Sequence, residues 1–134
     1  MDRLFLDANV LFTAAHRPDG KAAFLFAQGA GRWELLCSAY AVEEARRNIV
    51  LKFSAATPAL LSLVAQLEVV PQPATPAMPL VLPEKDQPIW AAALAARATH
   101  LLTGDLKDFG PHMNRPEMTA GVLIQTVADC LASD

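Results

Sequence analysis

Five acidic side chains fall where short apolar segments give way to helix or turn. Asp7 follows Arg3-Leu4-Phe5-Leu6, Asp86 stands just before a proline-started helix, and Asp105 follows the run HLLTG with Asp108 one helical turn beyond it. Glu44 lies six residues after Ser38, in from the start of a helix that follows a second apolar segment. In open parallel α/β sheets, ligands gather beyond the carboxyl ends of the strands, so these acids have the right positions to meet. Gathered carboxylates repel one another unless they take up protons or share a cation. Oxygen ligands with no neighbouring His or Cys suit a hard divalent ion, Mg²⁺ or Mn²⁺. Thr103 and Asn9 add neutral oxygens beside the acids.

Each acid also has a plain structural use. Asp7 can cap a turn, Asp86 reads as the N-cap of the Pro88 helix, and one of the adjacent pair Glu43 and Glu44 can belong to a solvated helix face. These uses do not explain why acids recur at successive strand-to-helix transitions. His16, His100 and His112 are scattered without paired spacing, which argues against zinc; His16 and His112 are candidates for the mouth of the site.

The elements that must position these residues are legible from apolar periodicity and breakers. Residues 3–6 form a short strand, followed by a helical start over Ala8 to Phe12. A helix is expected over 21–30, with Gly29 and Gly31 near its end, then a strand over 33–38 and a helix over 39–53. Thr57 and Pro58 read as cap and first turn of a helix over 59–67, and 68–70 as an edge strand. Residues 71–83 carry five of the ten prolines and form a connector. A proline-started helix over 88–99, a strand over 100–103, a last strand over 121–125 and a short helix capped by Thr126 complete the chain. Strands alternating with helices imply parallel pairing in a three-layer α/β/α sandwich with a central parallel sheet.

With 134 residues, 53% hydrophobic and 19% charged, the chain suits one domain spanning 1–134 and has enough apolar content to bury a core. No apolar run approaches the roughly 18 to 20 residues of a membrane span, and the N-terminus lacks the parts of a signal peptide; the expectation is a soluble cytoplasmic protein with no membrane partner. Cys37 and Cys130 lack metal or redox spacing and read as buried small hydrophobes. A net charge of −3 argues against a passive nucleic-acid-coating module, but not against an enzyme that grips nucleic acid locally.

At these residues the sequence resembles the PIN-domain family, the metal-dependent ribonuclease fold that includes VapC-type toxins. The likeness begins with FLDANVLFTA, continues through SAYAVEEARRNI and EKDQPIWAAALAARATHLLTGDLKDF, and ends with GVLIQTVADCL. The resemblance implies that Asp7, Glu44, Asp86 and Asp105 are the catalytic and metal-binding acids, with Glu43 as the alternative to Glu44. Asp108, Thr103, Asn9 and Ser38 would be supporting residues. It implies Mg²⁺- or Mn²⁺-dependent hydrolysis of RNA phosphodiesters by one or two metal ions, with the chain as the toxin of a type II toxin–antitoxin pair. An antitoxin partner and a homodimer are expected on the same ground. RNA would be held by Arg46, Arg47, Lys52 and Lys107, with Lys21, Arg32 and Arg115 as weaker candidates; Trp33 and Trp90 could stack bases but suit the core better.

Four other readings compete. A HAD-type phosphatase needs a second aspartate two residues after the first, where Asn9 stands. A receiver domain needs an adjacent acidic pair near the N-terminus, which Asp7 lacks. A catalytically weak PIN domain acting as a partner-binding scaffold, or a non-toxin RNA-processing nuclease, remains an alternative to the toxin.

Overall fold

The computed structural model describes residues 1–29, 31–74 and 78–133. Ala30, at the end of the expected helix over 21–30, and Pro76 of the connector lie outside the described residues. Five strands form one sheet: β1 (Arg3–Leu6), β2 (Glu34–Ser38), β3 (Glu68–Val70), β4 (His100–Leu102) and β5 (Leu123–Gln125). The order is β3-β2-β1-β4-β5 and every pairing is parallel. Between them run α1 (Ala8–His16), α2 (Lys21–Gln28), α3 (Ala39–Lys52), α4 (Thr57–Val64), α5 (Gln87–Ala95), the single turn α6 (Leu106–Phe109) and, after β5, α7 (Val127–Ala132). The three-layer α/β/α expectation holds.

The central strands are almost wholly apolar because both faces of a parallel sheet are covered. Leu4, Phe5, Leu6, Leu36, Leu101, Leu102 and Ile124 are fully buried. The alanines of α5 let that helix approach closely: Ile89, Trp90, Ala91, Ala92 and Ala93 are all buried. Trp90 carries its polar atom inward without cost, since Nε1–H donates to the Met78 carbonyl at 2.7 Å. Trp33 is buried in the same core, so neither tryptophan is a base-stacking platform. Cys37 and Cys130 are both buried, as expected, and burial pushes the Cys37 thiol up to about 12.

Several boundaries differ from the sequence expectation for identifiable reasons. Thr57 is not the cap of α4 but its first residue: a 3₁₀ turn over Ser54–Ala56 feeds the helix, and the Thr57 hydroxyl donates to the Ser54 carbonyl at 2.8 Å. α4 ends at Val64, before the expected residue 67. α5 ends at Ala95 rather than 99, because Arg97 adopts a left-handed φ of 57° and the Ala98 N–H returns to the Ala93 carbonyl at 3.0 Å. The last strand begins at Leu123, two residues after Gly121, whose φ of +82° makes a turn there.

This topology decides where a site can form. From β1 the chain moves one way to β2 and β3, then returns to the other side of β1 to lay down β4 and β5. The order therefore reverses between β1 and β4. The crevice beyond the carboxyl ends of two strands at such a reversal is where helices on opposite faces diverge and leave room for a ligand.

Candidate metal centre

Asp7 and Thr103 are the residues that follow β1 and β4. The Asp7 N–H donates to the Leu102 carbonyl at 3.0 Å and the Thr103 N–H to the Gln125 carbonyl at 3.0 Å, so strand pairing runs directly into the site. Both side chains are buried. The Thr103 hydroxyl donates to Asp7 Oδ2 at 2.8 Å and accepts the Asp105 N–H at 3.0 Å. Asp7 Oδ1 takes the Ala8 N–H at 2.7 Å and caps α1. Asn9 staples the two loops together: its Nδ2 reaches Asp7 Oδ2 at 3.2 Å and its Oδ1 accepts the Gly104 N–H at 2.8 Å. Burial outweighs these hydrogen bonds and pushes the Asp7 carboxyl up to about 6, with the charges of Glu44 and Asp105 adding to the rise.

Asp86 sits at the cap position of α5 but makes no capping hydrogen bond, contrary to the N-cap expectation. Its carboxyl turns instead toward the acids, and its Oδ2 is buried without a hydrogen-bond partner among the described residues. Burial, together with a hydrogen bond shared with Asp108, raises the Asp86 carboxyl to about 7. Asp108 moves the opposite way and stays ionised, held down first by that hydrogen bond. The two carboxyls titrate as a pair, with Asp86, the more buried, holding its proton more tightly than Asp108. Asp105 Oδ1 accepts the Asp108 N–H at 3.0 Å, capping α6 and bringing the Asp108 side chain back to the site.

Asp7, Glu44, Asp86 and Asp105 line one open pocket of about 330 Å³. Two of its acids, Asp86 and Asp105, form a group with Asp108, each with a carboxylate oxygen within 4.8 Å of the others. Asp108, expected as a helper, stands beside Asp86 and Asp105 and not in the lining of the pocket itself. Its acid oxygens and the partnerless Asp86 Oδ2 fit a hard divalent ion: a cation would neutralise the repulsion and satisfy the buried atom together. Glu44 faces the pocket, while Glu43 is on the outer face of α3, gripped by Arg46 through bonds of 2.6 and 2.9 Å.

The remaining candidates separate clearly. Lys52 lines the pocket with its ammonium 5.8 Å from the Phe12 ring, which is also a pocket wall. Arg46 is paired with Glu43, and Arg47 and Lys107 are exposed; none of the three lines the pocket. Ser38 does not line it either; its hydroxyl caps α3 by accepting the Ala41 N–H at 3.1 Å, which sets the helix that carries Glu44. His16 stacks flat on Phe53, with ring centroids 4.3 Å apart, and His112 meets the Val81 carbonyl, so neither histidine is at the mouth. Sequence reasoning missed Asn48 and Lys85, both in the pocket wall. Asn48 is one turn beyond Glu44, a spacing that puts it on the same face. Lys85 had no such signal: its ammonium is 3.5 Å from Asp108 Oδ2, and the Tyr40 hydroxyl fixes its carbonyl at 3.0 Å.

A family model described as PIN domain matches residues 3–107. The chain belongs to the PIN-domain family. Among solved structures similar to this PIN domain is VapBC2 from Rickettsia felis bound to a DNA fragment from its promoter, with TM-score 0.68, 14% identity, and coverage of 92% of this chain and 98% of that one. VapBC-1 from nontypeable Haemophilus influenzae gives TM-score 0.62 at 15% identity, covering 94% and 98%. FitAcB from Neisseria gonorrhoeae gives 0.60 at 17%, covering 92% and 97%. At these identities the likeness is one of fold. No curated protein matches the chain. Among the described residues, no helix of this PIN domain is long and apolar enough to cross a membrane.

Proposed function

We propose that this PIN domain is a divalent-metal-dependent endoribonuclease and serves as the toxin of a toxin–antitoxin pair. The observation that carries the nuclease reading is the convergence of Asp86, Asp105 and Asp108 beside the buried Asp7, with one Asp86 oxygen left without a partner. PIN domains are generally nucleases, which points the same way.

Asp7, Asp86 and Asp105 would hold Mg²⁺ or Mn²⁺, with Glu44 and Asp108 completing the set. Such an ion supplies a bound water of lowered pKa and positive charge for the phosphoryl oxygens. Thr103 holds the Asp7 carboxylate in place and the Asp105 backbone beneath it. Asn9 fixes the loop that carries Asp105 relative to α1. Lys52 and Lys85 stand on the pocket wall, placed to take the RNA backbone as it enters. Arg46, Arg47 and Lys107 extend the basic surface that RNA would follow beyond the pocket.

The toxin reading is supported by the similarity to VapBC and FitAcB structures, and an antitoxin protein and a homodimer belong to the same proposal. Val50, Leu51, Phe53 and Leu61, exposed on α3, the following turn and α4, offer apolar surface to a protein partner.

The test is cleavage of a mixed structured-RNA pool by purified protein, with Mg²⁺ or Mn²⁺ against EDTA, alongside Asp7→Asn and Asp86→Asn. Cleavage that needs metal and disappears in both variants is expected. Cleavage that survives EDTA, or no cleavage from folded protein with metal, overturns the nuclease reading in favour of a partner-binding scaffold. Growth arrest on expression, relieved by Asp7→Asn, tests the toxin role separately.

A further inference from the structure

A second cavity, of about 480 Å³, opens on the other side of Asn9 from the acids. It shares Asn9 and Asp105 with the acidic pocket, so the two cavities adjoin on either side of the Asn9 side chain. The two halves differ in chemistry. The acidic half suits a cation and a phosphate. The second half is walled by Val10 and Ala22, both buried, and by Val127 and Ala128 at the start of α7. Thr13, Thr126 and the exposed Lys21 stand around these apolar walls. No carboxylate among the described residues pairs with the Lys21 ammonium. The volume falls in the range of about 300 to 1,000 Å³ typical of small-molecule sites, and the mix of apolar walls with a few polar groups is what such sites show.

We infer that this cavity is a nucleotide subsite: it seats the base of the nucleotide next to the phosphodiester bound at the acids, with Lys21 on the adjoining phosphate. The inference rests on the nuclease reading for its substrate class. Three features favour a nucleotide over any other occupant. The cavity adjoins the acidic pocket at Asn9 and Asp105, so a chain lying across the acids can place its next unit here. The walls are apolar and carry no acid apart from Asp105 at the divide, which suits the face of a base and not a second metal. The cation at the rim matches the next phosphate of a polyanion. On this arrangement base preference is set by the Thr13 and Thr126 hydroxyls in the cavity lining, the latter also accepting the Asp129 N–H at 3.1 Å.

The test is direct binding. The full ¹⁵N-labelled chain, metal-free, is titrated with each of the four ribonucleoside 5′-monophosphates and with ribose 5-phosphate. Saturable amide shifts at Val10, Ala22 and Val127 are expected with at least one nucleotide and not with ribose 5-phosphate. Ala128→Trp, which fills the cavity from its exposed rim, should weaken that binding by about tenfold or more, and Lys21→Ala by about threefold, the smaller figure being that of one exposed charge. Lys21→Ala alters only an exposed side chain and gives the reading should the tryptophan variant not fold. Equal shifts with ribose 5-phosphate, shifts confined to the residues around Asp86, binding unaffected by either folded variant, or no shift with any nucleotide would each overturn the subsite. Absence of RNA cleavage by the metal-loaded wild type overturns the nuclease reading instead, and leaves these shifts to decide the subsite independently.

Discussion

Asp7→Asn should make the metal-free protein more stable at pH 8, even though it removes a hydrogen-bonded residue from the centre of the site. The Asp7 carboxyl is raised from 3.8 to about 6 by burial, a displacement of about 2 units. At 1.36 kcal/mol per unit, an ionised Asp7 costs folding about 3 kcal/mol once the pH is above both values. An acid with a raised folded-state pKa binds its proton more tightly in the folded state. Its contribution to stability is therefore fully kept at low pH and lost as pH rises from about 4 to about 6, after which it is flat. At pH 4 the same cost is only about 0.5 kcal/mol. Asparagine keeps an oxygen to accept the Ala8 N–H, but it turns an amide toward the Thr103 hydroxyl and the Asn9 amide, which both donate to Asp7 Oδ2, losing about 1 kcal/mol for each. The net expectation is a gain of about 1 kcal/mol at pH 8, or roughly 3 to 4 °C in Tm, reversing to a loss of about 1 to 2 kcal/mol at pH 4. Thermal melts of both proteins in EDTA at pH 4, 6 and 8 measure it. Adding 10 mM Mg²⁺ should stabilise the wild type by about 1 kcal/mol or more if the ion binds at about millimolar strength, and the variant much less. A variant that is less stable than wild type at pH 8 in EDTA, with the same deficit at pH 4, would refute the claim that the buried charge is what this site sustains at the expense of the fold.

Glu44→Gln should lower metal-dependent cleavage at least about tenfold while Glu43→Gln leaves it near wild type, because only Glu44 faces the acids and Glu43 is occupied with Arg46; equal losses would remove Glu44 from the site. Thr103→Val should cost about 1 to 3 kcal/mol in urea unfolding and reduce cleavage at least about tenfold, since the Asp7 carboxylate and the Asp105 N–H both lose a partner; unchanged kinetics in the folded variant would show that the hydroxyl does not position either acid. Trp90→Ala should destabilise the protein by about 3 to 5 kcal/mol, from the cavity left in the core, and a loss under 1 kcal/mol by denaturant titration would contradict its place there.

The sequence by itself determined the alternation of strands and helices, the parallel sheet and the candidate acids, because each rests on short-range pattern. An apolar run that must be covered on both faces reads as a buried strand, and a proline or a capping residue marks the helix after it. The family resemblance was legible for the same reason, since its motifs are those strand ends with their acids. Only the tertiary structure decided which side chains meet. Glu43 and Glu44 are neighbours in sequence but point about 100° apart on a helix, so the packing of α3 against α1 settles which one enters the pocket. Asp86 has the sequence of an N-cap, yet its carboxyl is drawn to Asp108, a residue 22 positions away, because the site forms where the strand order reverses between β1 and β4. Asn48 was within reach of its one-turn spacing from Glu44, but Lys85 and the second cavity were beyond local reading altogether. They depend on segments from residue 9 to residue 128 converging at one edge of the sheet, and spacing along the chain does not encode that convergence.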